Sequence, residues 1–178
     1  MGLSLADVTV PAEILYAENR KIIDAEANRY FAVLEPEKIS VKNAPQIKEV
    51  KIPLHPDFPE RGYRTLPVKT DKIFVEKNDL KKFRNKEVGL INLFSVKLKK
   101  NADFISEKIR MEVQKIQWVS EPNFNVEIVM PDGKIKKGIA EPEIRNVKKD
   151  EIIQLQRIGF ARVDEVSKDK IVLFFAHK

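Results

Sequence analysis

The chain has 178 residues, enough for one domain of good size or for two small domains that share a boundary. Its 33 Lys and Arg residues outnumber 27 Asp and Glu, and the net charge of +6 suits a polyanionic partner such as a nucleic acid. Because there is no cysteine and there are only two histidines, the composition excludes disulfides and thiolate zinc sites and predicts no metal site.

The start of the sequence carries no targeting signal. Residues 1–5, Met-Gly-Leu-Ser-Leu, lack the basic segment and the apolar stretch of a secretory leader. No apolar run in the sequence approaches the roughly 20 residues that a membrane-spanning helix needs. We therefore expect a cytoplasmic protein without a membrane partner.

The first predicted element is helical. Between Pro11 and Tyr30, apolar residues recur at separations of seven, such as Leu15 to Ile22 and Ile23 to Tyr30, which places them on related helix faces. Pro11 suits a first helical turn, where its missing N–H leaves no hydrogen bond unmade. The pattern predicts one or two helices over this stretch.

After Phe31 the apolar residues alternate with a period of two, which is typical of strands with one buried face. The alternating stretches are Val50 to Leu54, Val88 to Leu98, Phe124 to Met130 and Ile171 to Phe175. Short strands at this spacing indicate a sandwich or a barrel. Only residues 78–83 are predicted to form a later helix, with Asn78 as its N-cap.

Turn signals separate these strands, and Pro131-Asp132-Gly133 is a compact hairpin signal between two of them. The stretch from about residue 86 to residue 130 is therefore a candidate for a separate unit, inserted between two halves of another.

The sequence contains no motif that carries catalysis. It has no nucleophile–base pair, phosphate-binding loop or metal-ligand spacing, so we predict no catalytic residue, metal site or cofactor site in this chain. Lysine runs lie at predicted strand ends and turns. Each run alone is typical of a solvated surface, but several runs on one all-β module favour RNA binding.

Four short segments between residues 12 and 165 stand out as an ordered set. They are Asn-Arg-Lys-Ile-Ile-Asp at 19–24 with Arg-Tyr-Phe at 29–31, His-Pro-Asp at 55–57 with Pro59, Glu60, Gly62 and Arg64, Ile-Gln-Trp-Val at 116–119, and Gln-Leu-Gln-Arg at 154–157 with Gly159. In this order they resemble the C-terminal half of glutaminyl-tRNA synthetases and archaeal-type glutamyl-tRNA synthetases.

The resemblance implies a mainly β fold with two β-barrels of ribosomal-barrel-like topology and an N-terminal helical segment. Residues 1–30 would form the helical end of a stem-contact subdomain. Residues 31–84 together with 134–178 would form a proximal barrel, and residues 85–133 a distal barrel. The implied function is recognition of the anticodon loop of a tRNA.

The resemblance also implies residues that read a base. Arg29 matches an arginine that contacts the unstacked central uridine of the anticodon, and its donor-only guanidinium suits the two carbonyl acceptors of uracil. The alternative is an ion pair of Arg29 with a nearby carboxylate, Asp24 or Glu35. Gln154 is expected at the same base, because a carboxamide both donates and accepts.

Further anticodon-binding candidates follow from the same segments. Gln156 stands where the family usually has glutamate, and Arg157 is expected to hold a phosphate or a neighbouring carboxylate. Expected phosphate contacts are Lys97, Lys99, Lys136 and Lys137. Tyr30, Phe31 and Phe160 are candidates for stacking on bases, whereas Phe94 and Trp118 are expected in the core.

Residues 88–92 indicate the branch of the family. They lack the basic residues that glutaminyl enzymes have in this segment, which favours the glutamyl branch. The expected partner is then tRNA-Glu. Enzymes of this branch ligate glutamate to tRNA with ATP and Mg²⁺. The signatures His-Ile-Gly-His and Lys-Met-Ser-Lys-Ser are absent here, so this chain is predicted to be inactive without a catalytic half, in the same or a separate chain.

Three alternatives to this assignment stay open. They are the equivalent region of a glutaminyl-tRNA synthetase, a ribosomal-type RNA-binding barrel, and a barrel that binds other proteins.

Overall fold

The computed structural model describes residues 11–178. Residues 1–5, for which the sequence predicted no targeting signal, and the first ten residues of the predicted segment 1–30 lie outside this range. The helices are α1 (Ala12–Ile23) and α2 (Lys77–Lys82), with 3-10 turns at Pro59–Arg61 and Pro142–Asn146. The strands are β1 (Asn28–Tyr30), β2 (Ala32–Leu34), β3 (Pro36–Ile39), β4 (Val41–Lys42), β5 (Glu49–Pro53), β6 (Tyr63–Pro67), β7 (Ile73–Glu76), β8 (Glu87–Leu90), β9 (Ser95–Lys97), β10 (Ala102–Ser106), β11 (Lys115–Ile116), β12 (Val119–Ser120), β13 (Phe124–Val129), β14 (Ile135–Ala140), β15 (Ile152–Leu155), β16 (Gly159–Val166) and β17 (Lys170–His177).

The N-terminal helix is shorter than the sequence predicted. Helix α1 follows Pro11 as expected but ends at Ile23, and residues 28–30 form a strand. The prediction of helix up to Tyr30 is therefore wrong for its last residues. A separation of seven residues cannot distinguish a helix from a helix followed by a strand, and the pairing of β1 with the distant β15 decides the conformation.

The largest sheet has seven strands in the order β1-β15-β16-β17-β13-β14-β2. Its two edge strands, β1 and β2, are consecutive in the chain and separated only by Phe31. The sheet therefore curls until its edges nearly meet, which gives a nearly closed, barrel-like sheet. The prediction of a mainly β fold with an N-terminal helix is confirmed.

Two hydrophobic cores lie on either side of the segment that joins β1 to β2. Tyr30 and Ala32 face the second core, which is lined by the seven-stranded sheet. Phe31 and Val33 face the first core, which contains Trp118 and the strands of the smaller sheets. Because successive side chains of an extended chain point to opposite sides, this one segment contributes to both cores.

The strand pairing bears on where the two units divide. Residues 31–84 and 85–120 share the first core, since β4 pairs with β10 and β7 pairs with β12. Strand β13 pairs with β14 and β17 in the seven-stranded sheet. The predicted domain limits stay a prediction, and we propose two changes to them. Residues 31–84 belong with 85–120 in one unit around the first core. The boundary at 133/134 belongs near residue 121, before β13, so that the second unit contains the seven-stranded sheet.

Two local predictions have different outcomes. The turn at 131–133 joins the antiparallel strands β13 and β14 as expected, with Gly133 at φ 78°. Helix α2 is present, but it starts at Lys77 and Asn78 is not its cap. Glu76 occupies the N-cap position without a side-chain hydrogen bond to the helix, so the predicted cap is wrong by two residues.

A buried ion pair joins the two units. Arg64 on β6 and Glu141 after β14 are each 1% exposed, and Arg64 Nε lies 2.7 Å from Glu141 Oε1. The other carboxylate oxygen accepts a hydrogen bond of 2.7 Å from the Phe31 amide. Burial raises the pKa of the Glu141 carboxyl to about 7, while Arg64 and this amide favour the charged form. Within residues 11–178, no helix is long and apolar enough to cross a membrane.

Candidate nucleic-acid interface

The two residues predicted to read a base come together through strand pairing. Strands β1 and β15 are parallel, and Arg29 is the register partner of Gln154. Neighbouring strands lie about 4.8 Å apart, so these side chains start from adjacent positions on the sheet. The Arg29 side chain is 19% exposed and Gln154 is half-buried, which leaves both within reach of a ligand.

Both side chains converge on one carboxylate. Arg29 Nη2 lies 3.4 Å from each oxygen of Asp24, and Gln154 Nε2 lies 3.4 Å from Asp24 Oδ1. Asp24 is the C-cap of α1, and its side chain is 39% exposed. The predicted alternative, an ion pair of Arg29 with Asp24, is therefore present, and the same carboxylate also faces Gln154.

A buried histidine fixes the backbone of this site. His55 Nδ1 accepts a hydrogen bond of 3.2 Å from the amide of Asp57, so the ring proton lies on Nε2. His55 Nε2 then donates to the Asp24 carbonyl over 2.9 Å. His55 is 1% exposed, and its ring lies 4.9 Å from the Phe58 ring between centroids. This histidine shapes a turn and also anchors the residue that faces Arg29.

The guanidinium of Arg29 has few good partners among the described residues. Its Nε is buried and has no hydrogen-bond partner within residues 11–178. Its Nη2 lies 3.2 Å from His55 Nε2, but both atoms are donors. Its contacts with Asp24 exceed the usual 2.7–3.2 Å, and Asp57 is 4.0 Å away. Since buried donors are normally paired, Arg29 has capacity for a further acceptor.

The other two anticodon-binding candidates lie at the turn after β15. Arg157 has φ 64° and makes a two-pronged ion pair with Asp79 of α2, at 2.5 and 3.0 Å. This pair raises the pKa of Arg157. The contact is with a neighbouring carboxylate, one of the two partners expected. Gln156 is half-buried, and its backbone amide donates to the Tyr30 carbonyl over 3.0 Å.

The four lysines expected at phosphates do not form one group. Lys97 belongs to β9 of the five-stranded sheet, whereas Lys136 and Lys137 belong to β14 of the seven-stranded sheet. Lys99 Nζ pairs with Asp103 at 2.5 Å, which lowers the pKa of that carboxyl. Lys137 lies 3.4 Å from a carboxylate oxygen of Glu127.

A basic cavity that the sequence did not single out lies beside α2. It has a volume of about 210 Å³, and its wall is made by Leu80, Lys81, Arg84, Lys99 and Lys100. Of these residues, the sequence had pointed only to Lys99, as an expected phosphate contact; the run of cations in 81–86 is also typical of a solvated helix face. The loop after β9 supplies the remaining cations, and this non-local contact is not visible in the sequence.

The stacking candidates are buried. Phe31, Phe94 and Phe160 are at most 1% exposed, and Tyr30 is 5% exposed. Burial raises the pKa of the Tyr30 hydroxyl to about 12. The prediction that Tyr30, Phe31 and Phe160 offer stacking surfaces is therefore wrong, because these rings are core residues like Phe94. Within residues 11–178, no three His, Asp or Glu side chains are grouped as a metal site would require.

Comparisons with known proteins give the family of the chain. Residues 27–116 match the family model described as "tRNA synthetases class I (E and Q), anti-codon binding domain", and residues 115–164 match a second model with the same description. The chain is 39% identical to the glutamate–tRNA ligase of Pyrococcus furiosus, 38% to that of Methanosarcina barkeri and 35% to that of Methanocaldococcus jannaschii. All of this chain is covered, but only 32–33% of each relative, so the chain spans about a third of their length.

Proposed function

The chain belongs to the family of anticodon-binding domains of class I tRNA synthetases for glutamate and glutamine, and on this premise we propose that it selects tRNA-Glu for a glutamate–tRNA ligase. It does so by binding the anticodon loop and reading the central uridine with Arg29 and Gln154. The observation that carries the proposal is their shared register position on β1 and β15, with both side chains directed to one point.

The chemistry of uracil fits this pair. The base edge presents two carbonyl acceptors on either side of one N–H donor. Within residues 11–178, Arg29 Nε has no hydrogen-bond partner. Gln154 is one of the residues that line an open cavity of about 190 Å³. A base that cannot pair with these groups would leave a partly buried guanidinium unsatisfied, and that penalty disfavours the wrong base.

The glutamate branch is supported by the three relatives named above, which are glutamate–tRNA ligases. In this proposal, ATP and Mg²⁺ are handled by the catalytic part of the ligase, in the same or a separate chain, and the residues described here contribute recognition.

The outer face of α1 supports a contact with that catalytic part. Among the described residues, one side of helix α1 contacts β17, where Asn19 Nδ2 donates to His177 Nε2 over 2.8 Å. Ile14, Leu15 and Ile22 are more than half exposed on the helix. We place the remainder of the ligase against these three apolar side chains.

Replacing Arg29 by alanine should abolish a preference for uridine at the central anticodon position. The wild-type protein should bind an anticodon stem-loop with central uridine more tightly than one with central cytidine. We expect a difference of about 1–3 kcal/mol, or roughly 5- to 150-fold in Kd, because the mismatched base leaves buried donors unpaired. Filter binding at fixed salt concentration measures both constants.

The matched control is Arg162→Ala, which removes an exposed arginine of β16 that is paired with Asp150. This variant should keep the preference for uridine. Equal binding of all four central bases by the wild-type protein would contradict the proposed function.

The basic cavity beside α2 is proposed as a phosphate site for the same RNA strand. Replacing Lys81 and Lys100 together by glutamine should weaken binding equally for every central base. The slope of log K against log salt concentration should flatten by roughly 0.7 for each lost phosphate contact with single-stranded RNA.

A double variant at two exposed lysines outside the cavity, Lys149→Gln with Lys168→Gln, makes the same change in net charge and should leave the slope closer to that of the wild type. Identical slopes for the two double variants would rule out a localised phosphate site.

A further inference from the structure

We propose that Asp24 is a third base-reading residue, and that its carboxylate accepts the N3–H of the central uracil. This inference rests on the proposed function, because it assigns a specificity-determining residue to the same site. It is carried by the position of Asp24 between the two side chains already discussed.

The geometry places an acceptor between two donors. Asp24 Oδ1 lies 3.4 Å from Arg29 Nη2 and 3.4 Å from Gln154 Nε2. Arg29 and Gln154 start from neighbouring strands about 4.8 Å apart, a spacing similar to the width of a pyrimidine's hydrogen-bonding edge. The site thus presents donor, acceptor and donor in that order.

Uracil presents the complementary order of acceptor, donor and acceptor. Arg29 can donate to one carbonyl and Gln154 to the other, while Asp24 accepts from the N–H between them. In cytosine the ring nitrogen at this position is an acceptor and the amino group is a donor. An ionised carboxylate accepts only, so cytosine would place its lone pair against Asp24 and its amino group against a donor.

The carboxylate is available for this role although it already contacts both partners. Contacts of 3.4 Å are longer than ordinary N–H···O hydrogen bonds of 2.7–3.2 Å, so little is lost when a base takes over the donors. The backbone of Asp24 is fixed by His55 and by its own amide, which donates to the Arg20 carbonyl over 2.9 Å. The side chain, 39% exposed, can be reached from solvent.

The orientation of the Gln154 amide follows from the same carboxylate. Because Asp24 cannot donate, Gln154 must turn its NH₂ group towards it. That group has two hydrogens, so one can stay with Asp24 while the other is donated to a uracil carbonyl. Asp24 therefore sets the orientation of the Gln154 amide. In this orientation Gln154 offers only donors to the base, and Asp24 supplies the acceptor.

The test uses stem-loops with uridine, cytidine or N3-methyluridine at the central position. The wild-type protein should bind the uridine loop roughly 5- to 150-fold more tightly than either of the others. Asp24→Asn should lose most of the discrimination against cytidine, because an amide can donate to the cytosine ring nitrogen. Asp24→Ala should lose most of the discrimination against N3-methyluridine. In the wild type, the N3-methyl group leaves the Asp24 carboxylate without the N3–H donor, whereas alanine has no carboxylate that could lose this hydrogen bond.

Asp57→Asn is the matched control. It removes a carboxylate 4.0 Å from the same guanidinium, one that is 73% exposed and outside the donor–acceptor–donor arrangement. This variant should keep both ratios. Thermal unfolding of each variant shows that the ratios are compared between folded proteins.

The possible failures are distinguishable. If Arg29→Ala loses the preference for uridine while both Asp24 variants keep the wild-type ratios, Asp24 only orients Arg29; the inference is then overturned and the proposed function stands. If the wild-type protein binds all loops equally, both the inference and the proposed function fail.

Discussion

Replacing Arg64 by methionine should destabilise the folded protein by about 3–5 kcal/mol, a large part of the 5–15 kcal/mol that typically separates folded and unfolded states. The side chains of Arg64 and Glu141 are each 1% exposed and 2.7 Å apart. Without its partner, the Glu141 carboxylate would stay buried with only the Phe31 amide as a donor. Chemical denaturation at neutral pH, with an unchanged m-value, measures the difference.

This deficit should depend on pH in a definite direction. Burial raises the pKa of Glu141 from 4.5 to about 7, and Arg64 counteracts that rise, so removing Arg64 raises the folded-state pKa further. The folded variant then binds a proton more tightly than the unfolded chain. Stability is therefore retained below about pH 4.5 and lost as the pH rises through the folded-state pKa. The variant should lose more stability at pH 8 than at pH 5.

A second replacement separates the ion pair from the shape of the core. Arg64→Met combined with Glu141→Gln removes both charges but keeps an acceptor for the Phe31 amide. It should recover much of the loss, because removing both members of a buried pair is far less costly than removing one. If the double variant were as unstable as Arg64→Met, or if Arg64→Met cost less than about 1 kcal/mol, the pair would not have the role assigned to it.

The period-two pattern located several strands because alternation records which face of each strand is buried, although the stretch Val88 to Leu98 is divided between β8 and β9. Strand β13 falls within the stretch Phe124 to Met130, and strand β17 contains the whole stretch Ile171 to Phe175. What alternation could not give is the partner of each strand. Strand β1 pairs with β15, more than 120 residues later in the chain. This pairing makes Asn28–Tyr30 a strand, where the sequence had predicted a helix.

The candidate site was predictable only in part for the same reason. Arg29 and Gln154 were selected by resemblance to known motifs, and their juxtaposition depends on the register of β1 and β15. Asp24 was considered only as a competing partner for Arg29, because the sequence does not show that it also faces Gln154. Arg64 was noticed as part of a motif, but its partner Glu141 lies 77 residues later, and sequence spacing does not reveal a buried pair at that distance.

Replacing Trp118 by alanine should cost about 3–5 kcal/mol of unfolding free energy. Trp118 is fully buried in the first core, and its Nε1 donates to the Ile91 carbonyl over 2.8 Å. Its ring meets the Phe31 ring edge-on, with centroids 6.2 Å apart. Truncation removes these contacts and leaves a cavity. Trp118→Phe keeps most of the apolar volume and loses the donor, so it should cost only about 1–3 kcal/mol, the penalty for an unpaired buried carbonyl.

Trp118→Ala also tests whether recognition of the central base depends on the first core. The strands that carry Arg29 and Gln154 pack their apolar side chains, Tyr30, Ile153 and Leu155, into the second core. At a temperature where Trp118→Ala is still folded, its preference for uridine over cytidine should therefore match that of the wild type, while its denaturation midpoint is lower. A parallel loss of the preference and of stability would mean that the base site requires an intact first core, with Phe31 as the connection between Trp118 and β1.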